Sequence, residues 1–234
     1  LHLLRLKVAQ FVDVAPSIPA GVEGAAAARK LDRGAFSWAS YQGFRDPYMG
    51  LVAGFIFMPY LATVLIPDPV EGQAAVATIG KISGLLIAIL APLLGAMVDS
   101  IGPRKPGLAI CTILMVPLIA GLWFAAPDGS GLSVPVVMAM LTVIGVLFAL
   151  GEVLFASMLP SAVPPHQRAY ASGLALSLGN VTSFVLTAFI LLCFALPGTV
   201  PSPFLPDAPL LGLSHALNEP DRIVGPVVAI AFAL

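Results

Sequence analysis

The chain has 234 residues, 59% of them hydrophobic and 10% charged, with a formal net charge of -1. Soluble domains carry about 25% charged residues, so this composition excludes an ordinary soluble globule. The near-neutral balance points to no nucleic-acid partner. Cys111 and Cys193 both fall in apolar runs and read as packing thiols, not as a disulfide or metal ligands.

Residues 1–34 come first. They hold Arg5, Lys7, Arg29, Lys30 and Arg33 among Ala, Gly and Pro, and lack the h-region of a signal peptide. They read as a cytoplasmic, partly disordered lead-in. Five stretches then contain no Asp, Glu, Lys, Arg or His: 47–67, 82–98, 106–127, 129–151 and 169–206. A bilayer-crossing helix takes roughly 20 mostly apolar residues. The runs predict spans near 36–66, 79–99, 106–126, 134–158 and 169–196. A further apolar run after Arg222 ends at Leu234. Its twelve or so residues rise only ~18 Å, short of a ~30 Å core. It reads as a sixth span, 221–234, cut off by the end of the fragment. The expected architecture is an all-α polytopic membrane bundle.

The spans have distinct faces. Span 1 carries Gly50 and Gly54 in a G-x-x-x-G pattern, with Pro59 beyond. Span 2 aligns Gly84, Ala88, Ala91, Gly95 and Asp99 on one face, and span 4 aligns Gly145, Ala149, Glu152 and Ala156. Small faces let helix backbones approach closely in lipid. Pro92 and Pro117 predict interruptions of spans 2 and 3. Broken helices with small faces suit a bundle that gates, and equally suit static packing. Span 5 carries Ser177, Asn180, Ser183 and Thr187 along one side. Four polar groups facing lipid would be costly, so that side reads as the wall of a solute path.

Charge sets the expected orientation. The lead-in, loop 99–106 and loop 160–169 hold Lys or Arg, whereas loops 67–78, 127–133 and 197–221 hold none. The positive-inside rule then places the N-terminus in the cytoplasm. Lys81 falls at the outer end of span 2, where it can snorkel. Arg45 and Asp46 fall at the cytoplasmic mouth of span 1 and read as interfacial anchors. Glu152 stands inside span 4, about 9 Å from its expected cytoplasmic end. An ionised group at mid-bilayer costs at least ~2.5–3.5 kcal/mol. Three readings stay open: a charge relay with Asp99 and Arg104, a proton site, or a packed carboxyl.

The loop between spans 2 and 3 reads Gly95-Ala-Met-Val-Asp99-Ser-Ile-Gly102-Pro103-Arg104-Lys105-Pro106. Asp99 ends a helix and can pair with Arg104 or Lys105, and Gly102 permits the tight turn. The segment resembles the loop signature of the major facilitator superfamily. Ser37-Trp38-Ala39-Ser40-Tyr41, Phe57-Met58-Pro59-Tyr60, Gly151-Glu152-Val153 and Pro164-Pro165 extend the resemblance. They look like the branch of autophagy-related vacuolar amino-acid efflux permeases and their bacterial relatives. The resemblance covers residues 36–234 and implies the N-terminal six-helix half of a major facilitator fold. A C-terminal half of the same protein would be its partner. It also implies a central cavity and alternating access in a bacterial inner membrane. Gly95, Asp99, Gly102, Arg104, Lys105 and Glu152 would form the gating set. The chain departs from the branch at Pro103, at Ser100, and at Gln42, where an acid is usual.

The expected function is secondary active transport of a small polar solute, with amino acids favoured through the resemblance and a proton as possible co-ion. The alternative is a channel-like or non-transporting membrane protein. A membrane enzyme would need paired acids or His ligands, but His2, His166 and His215 are scattered. No metal or cofactor motif is expected, and no P-loop follows a strand.

Overall fold

Each apolar run forms a helix in the computed structural model. It describes the backbone of residues 31–101 and 104–233, and their side chains except those of 94 and 97–101. Five helices are long and apolar enough to cross a bilayer. Spans 1, 3, 4 and 5 are Arg33–Leu65, Arg104–Phe124, Val134–Ala162 and Pro165–Ala195. Span 2 belongs to the helix Pro69–Ile101. A sixth helix, Val224–Ala233, follows the short turn Glu219–Arg222. No strand occurs among the described residues. The protein is an all-α integral membrane protein.

Most helices are longer than the uncharged runs predict, because polar residues cap them. Asp32 accepts a bond from the Gly34 amide, so span 1 starts at Arg33. The Asp68 carboxylate accepts from the Val70 and Glu71 amides at 2.8 and 3.0 Å. It caps a helix with Pro at its first position, a favourable start. Span 2 thus begins ten residues earlier than expected, and Glu71 lies in a helical turn, not in a loop. This 33-residue helix is about 50 Å long, more than a ~30 Å core. A helix of that length tilts or extends past the apolar layer, and Lys81 sits twelve residues in, exposed. At the far end of span 4, Arg168 donates to the Pro160 and Val163 carbonyls at 2.9 and 3.2 Å. Those bonds satisfy the last turn and carry the helix to Ala162.

Two prolines expected to interrupt helices do not. Pro92 and Pro117 lie inside continuous helices. A missing bond in a membrane helix is tolerated when neighbouring groups compensate. The irregular helix is span 1. It runs in π-helical geometry over Tyr48–Phe55 and Leu61–Leu65, with a break at Ile56 (φ -121, ψ -63). Pro59 lies between the two wide turns, without an N–H to donate.

Span 1 packs along span 5 through glycines. A Cβ on Gly43 would touch Leu178 at 3.1 Å, and one on Gly50 would touch Ser183 at 3.3 Å. A Cβ on Gly179 would run into the Asp46 carboxylate. The small face of span 2 differs from expectation: a Cβ on Gly84 or Gly95 would meet nothing within 4 Å. Gly54 likewise meets only its own span at Met49. Span 4 does approach span 2 at Gly145, where a Cβ would lie 3.4 Å from the Ser83 hydroxyl.

The apolar core gathers Leu51, Phe57, Leu61, Ile119, Leu141 and Val228 from spans 1, 3, 4 and the sixth helix. Leu85, Ile89 and Leu93 on span 2, with Val181, Phe184 and Val185 on span 5, stay exposed. A soluble protein rarely leaves such continuous apolar faces open, whereas lipid covers them at no cost.

Candidate functional site

Arg45 lies in the interior of span 1, twelve residues from its start. It is fully buried, at 1% exposure. Its guanidinium forms an ion pair with the Glu152 carboxylate of span 4. It also donates to the Phe148 carbonyl at 3.1 Å and stacks on the Phe148 ring, 3.9 Å from the centroid. Planar guanidinium suits this combination of fork and stack. Arg45 and Asp46 are therefore not interfacial anchors. The uncharged run that begins at Pro47 made them look like a mouth, but helix continues through them. Glu152 lies ten residues before Ala162, about 15 Å of rise from the end of its helix.

The ion pair adjoins a cavity of about 340 Å³ between spans 1, 4 and 5. Gln42, Asp46, Phe148, Glu152, Asn180 and Ser183 line it. The half-buried Asp46 carboxylate accepts from the Gln42 amide at 2.7 and 2.8 Å. Gln42 Oε1 is buried without a hydrogen-bond partner. Asn180 donates to the Leu176 carbonyl at 2.9 Å. Thus the structure brings Asn180 and Ser183 together with Glu152. It does not bring Ser177 or Thr187 to that cavity. Their hydroxyls donate to the Gly173 and Ser183 carbonyls of their own helix, at 2.8 and 2.7 Å.

The expected relay joined Glu152 to Asp99 and Arg104; among the described residues Glu152 and Arg104 have other partners, and the Asp99 side chain lies outside those residues. The Arg104 guanidinium donates to the Ser157 carbonyl, while Glu152 is held by Arg45. Arg104 and Lys105 line a second cavity, of about 720 Å³, with Trp38, Tyr41 and Ser161. Trp38 in its wall stacks on Phe155 at 4.4 Å and donates to the Phe155 carbonyl at 3.2 Å. Gly95 lies in its helix with open space around it. The Asp99 side chain and Gly102 lie outside the described residues, as do residues 1–30 of the lead-in.

At the opposite end, the Asp128 turn is self-contained. Ser130 donates to the Asp128 carboxylate through its hydroxyl at 2.6 Å and its amide at 3.0 Å. The hydroxyl bond, then the amide bond, holds this carboxyl below its ordinary range. Nearby, Arg222 is buried and donates to the Trp123 carbonyl at 2.8 Å. Its guanidinium lies 5.0 Å from the Trp123 ring centroid. This ties the turn before the sixth helix to the end of span 3.

Sequence reasoning missed Arg45, Asp46 and Gln42 as one constellation with Glu152. A signal was present: Gln42 and Asp46 are one turn apart, within a helix whose cap is Asp32. An ionisable residue inside a span is a functional candidate by default. Among the described residues no three His, Cys, Asp or Glu converge as a metal set. No family profile matches the sequence, and no curated protein matches it.

Proposed function

We propose that the chain is part of a secondary active transporter that moves a small polar solute by alternating access. The observation that carries this reading is the pairing of Arg45 with Glu152 in the bundle interior, beside a cavity lined by Asp46, Asn180 and Ser183. Buried charge is costly in a membrane and is retained where solutes or protons pass. A cavity between helices with few convergent polar groups is the usual form of a small-molecule site. Span 1 has wide π turns beside this cavity, a geometry common at functional positions.

The fold proposed is the N-terminal half of a major facilitator bundle, on the strength of the loop around Asp99 and the motifs of span 1. A second bundle would complete the cavity. The proposed setting is a bacterial inner membrane with the N-terminus in the cytoplasm. Amino acids are the favoured solutes through that same resemblance. The protein acts in this reading as a carrier and not as an enzyme.

The test is uptake by the intact protein in proteoliposomes, with a panel of amino acids, peptides and sugars. Saturable uptake of one class is expected. Asn180→Leu is expected to weaken its apparent affinity while leaving folding intact. Non-saturable flux would favour a channel, and no flux for any solute would reject transport.

A further inference from the structure

The cavity between spans 1, 4 and 5 is unbalanced in charge. Asp46 and Glu152 line it, and among the described residues no Lys, Arg or His does. Arg45 lies behind Glu152 with its guanidinium committed to that carboxylate, to the Phe148 carbonyl and to the Phe148 ring. The Asp46 carboxylate has only the neutral Gln42 amide as its hydrogen-bond partner among the described residues.

Hydrogen-bonding capacity is unbalanced in the same sense. The Gln42 nitrogen serves both Asp46 oxygens, and Gln42 Oε1 is left buried and unpartnered. Such an acceptor calls for a donor that the described residues do not supply. The Asn180 nitrogen bonds the Leu176 carbonyl, which leaves Oδ1 as the open end of that amide. The Glu152 carboxylate receives Arg45 through one oxygen only, Oε2. Met49, Phe55 and Phe148 supply the apolar and aromatic walls.

We propose that this cavity binds the protonated amine of an organic solute with an apolar or aromatic body, and that it requires no carboxylate on that solute. An ammonium group offers three donors and no acceptor, which complements the lining. Its charge offsets the excess carboxylate. The Phe55 and Phe148 rings accommodate the apolar body. Within this cavity a solute carboxylate would face two carboxylates and, among the described residues, no cation. An amino acid would thus place its amino group here and its carboxylate outside. The inference rests on the transport reading for the use of the site. The binding chemistry stands on the lining alone.

Three probes with one aromatic body separate the possibilities: phenethylamine, phenylalanine and hydrocinnamate. Binding is measured by titration calorimetry on the intact protein in nanodiscs, and uptake in proteoliposomes. Phenethylamine is expected to bind about tenfold or more tightly than hydrocinnamate, and Asp46→Asn to weaken it about tenfold. Equal binding of hydrocinnamate, or no binding of any probe, overturns the proposal. Unchanged amine affinity in Asp46→Asn does so too. If Asp46→Asn does not fold, the wild-type ranking of the probes decides. Amine binding without uptake of any probe overturns transport and leaves this inference standing. Saturable uptake of hydrocinnamate in preference to the amine overturns this inference and leaves transport standing.

Discussion

Arg45 and Glu152 form an asymmetric pair: the arginine is wholly buried, whereas the glutamate side chain keeps 48% of its surface open. Removing either partner therefore has different consequences. Glu152→Gln leaves a buried guanidinium without its counter-charge. The expected loss is about 2 kcal/mol, below the figure for full burial because Glu152 is half open. Arg45→Met removes the buried charge and leaves a carboxylate that water can reach. The double variant Arg45→Met with Glu152→Gln is expected to recover part of the loss of Glu152→Gln. Unfolding midpoints of the four proteins in detergent check this. Additive losses would mean that the pair does not couple span 1 to span 4.

Gly179 is the contact point of span 5 with the Asp46 carboxylate. A Cβ there collides with the carboxylate, so the two helices must part or Asp46 must turn. Gly179→Ala is expected to cost about 1–3 kcal/mol. Gly173→Ala, on the same helix with open space around it, is expected to change stability little. Thermal unfolding of both variants checks the contrast. Equal effects would mean that no close seam exists at Gly179.

Asp128 titrates below its ordinary value of 3.8, chiefly because the Ser130 hydroxyl and then the Ser130 amide donate to it. A carboxyl whose folded-state pKa is depressed lends stability above its unfolded-state pKa. That contribution is lost as pH falls through the folded-state value. The turn is thus expected to hold at neutral pH and to loosen only below the ordinary carboxylate range. Ser130→Ala removes the hydroxyl bond and is expected to move the Asp128 pKa upward. Carboxyl-carbon NMR titration of Asp128 measures the shift directly. No movement would mean that the hydroxyl bond does not form in solution.

Alternating loop charge sets an expectation for labelling. Cysteines placed at Glu71 and Asp128 are expected to react with impermeant reagent from outside, and a cysteine at Lys105 only from inside. The two groups lie at opposite ends of the helices, since Pro69 starts span 2 and Arg104 starts span 3. Outside access at position 105 would invert the orientation.

Membrane class and span number were legible in the sequence because both follow from local composition. An uncharged run of about 20 residues has few alternatives to a buried or lipid-facing helix, whatever packs beside it. The polar side of span 5 was legible in part: helical periodicity puts Asn180 and Ser183 near one another, but Ser177 and Thr187 do not line the same cavity. Helix ends were less legible. Asp68 and Arg168 act by reaching particular amides and carbonyls, and composition reads them only as loop charge. The partners of charges were not legible at all. Arg45 meets Glu152 across 107 residues of sequence, and either could have faced another partner. Which charge is buried, which glycine is a seam and which acid lines a cavity depend on how spans 1, 4 and 5 rotate about their axes. Only tertiary packing decides that rotation, because each helix is apolar over most of its circumference and its own sequence selects no single face.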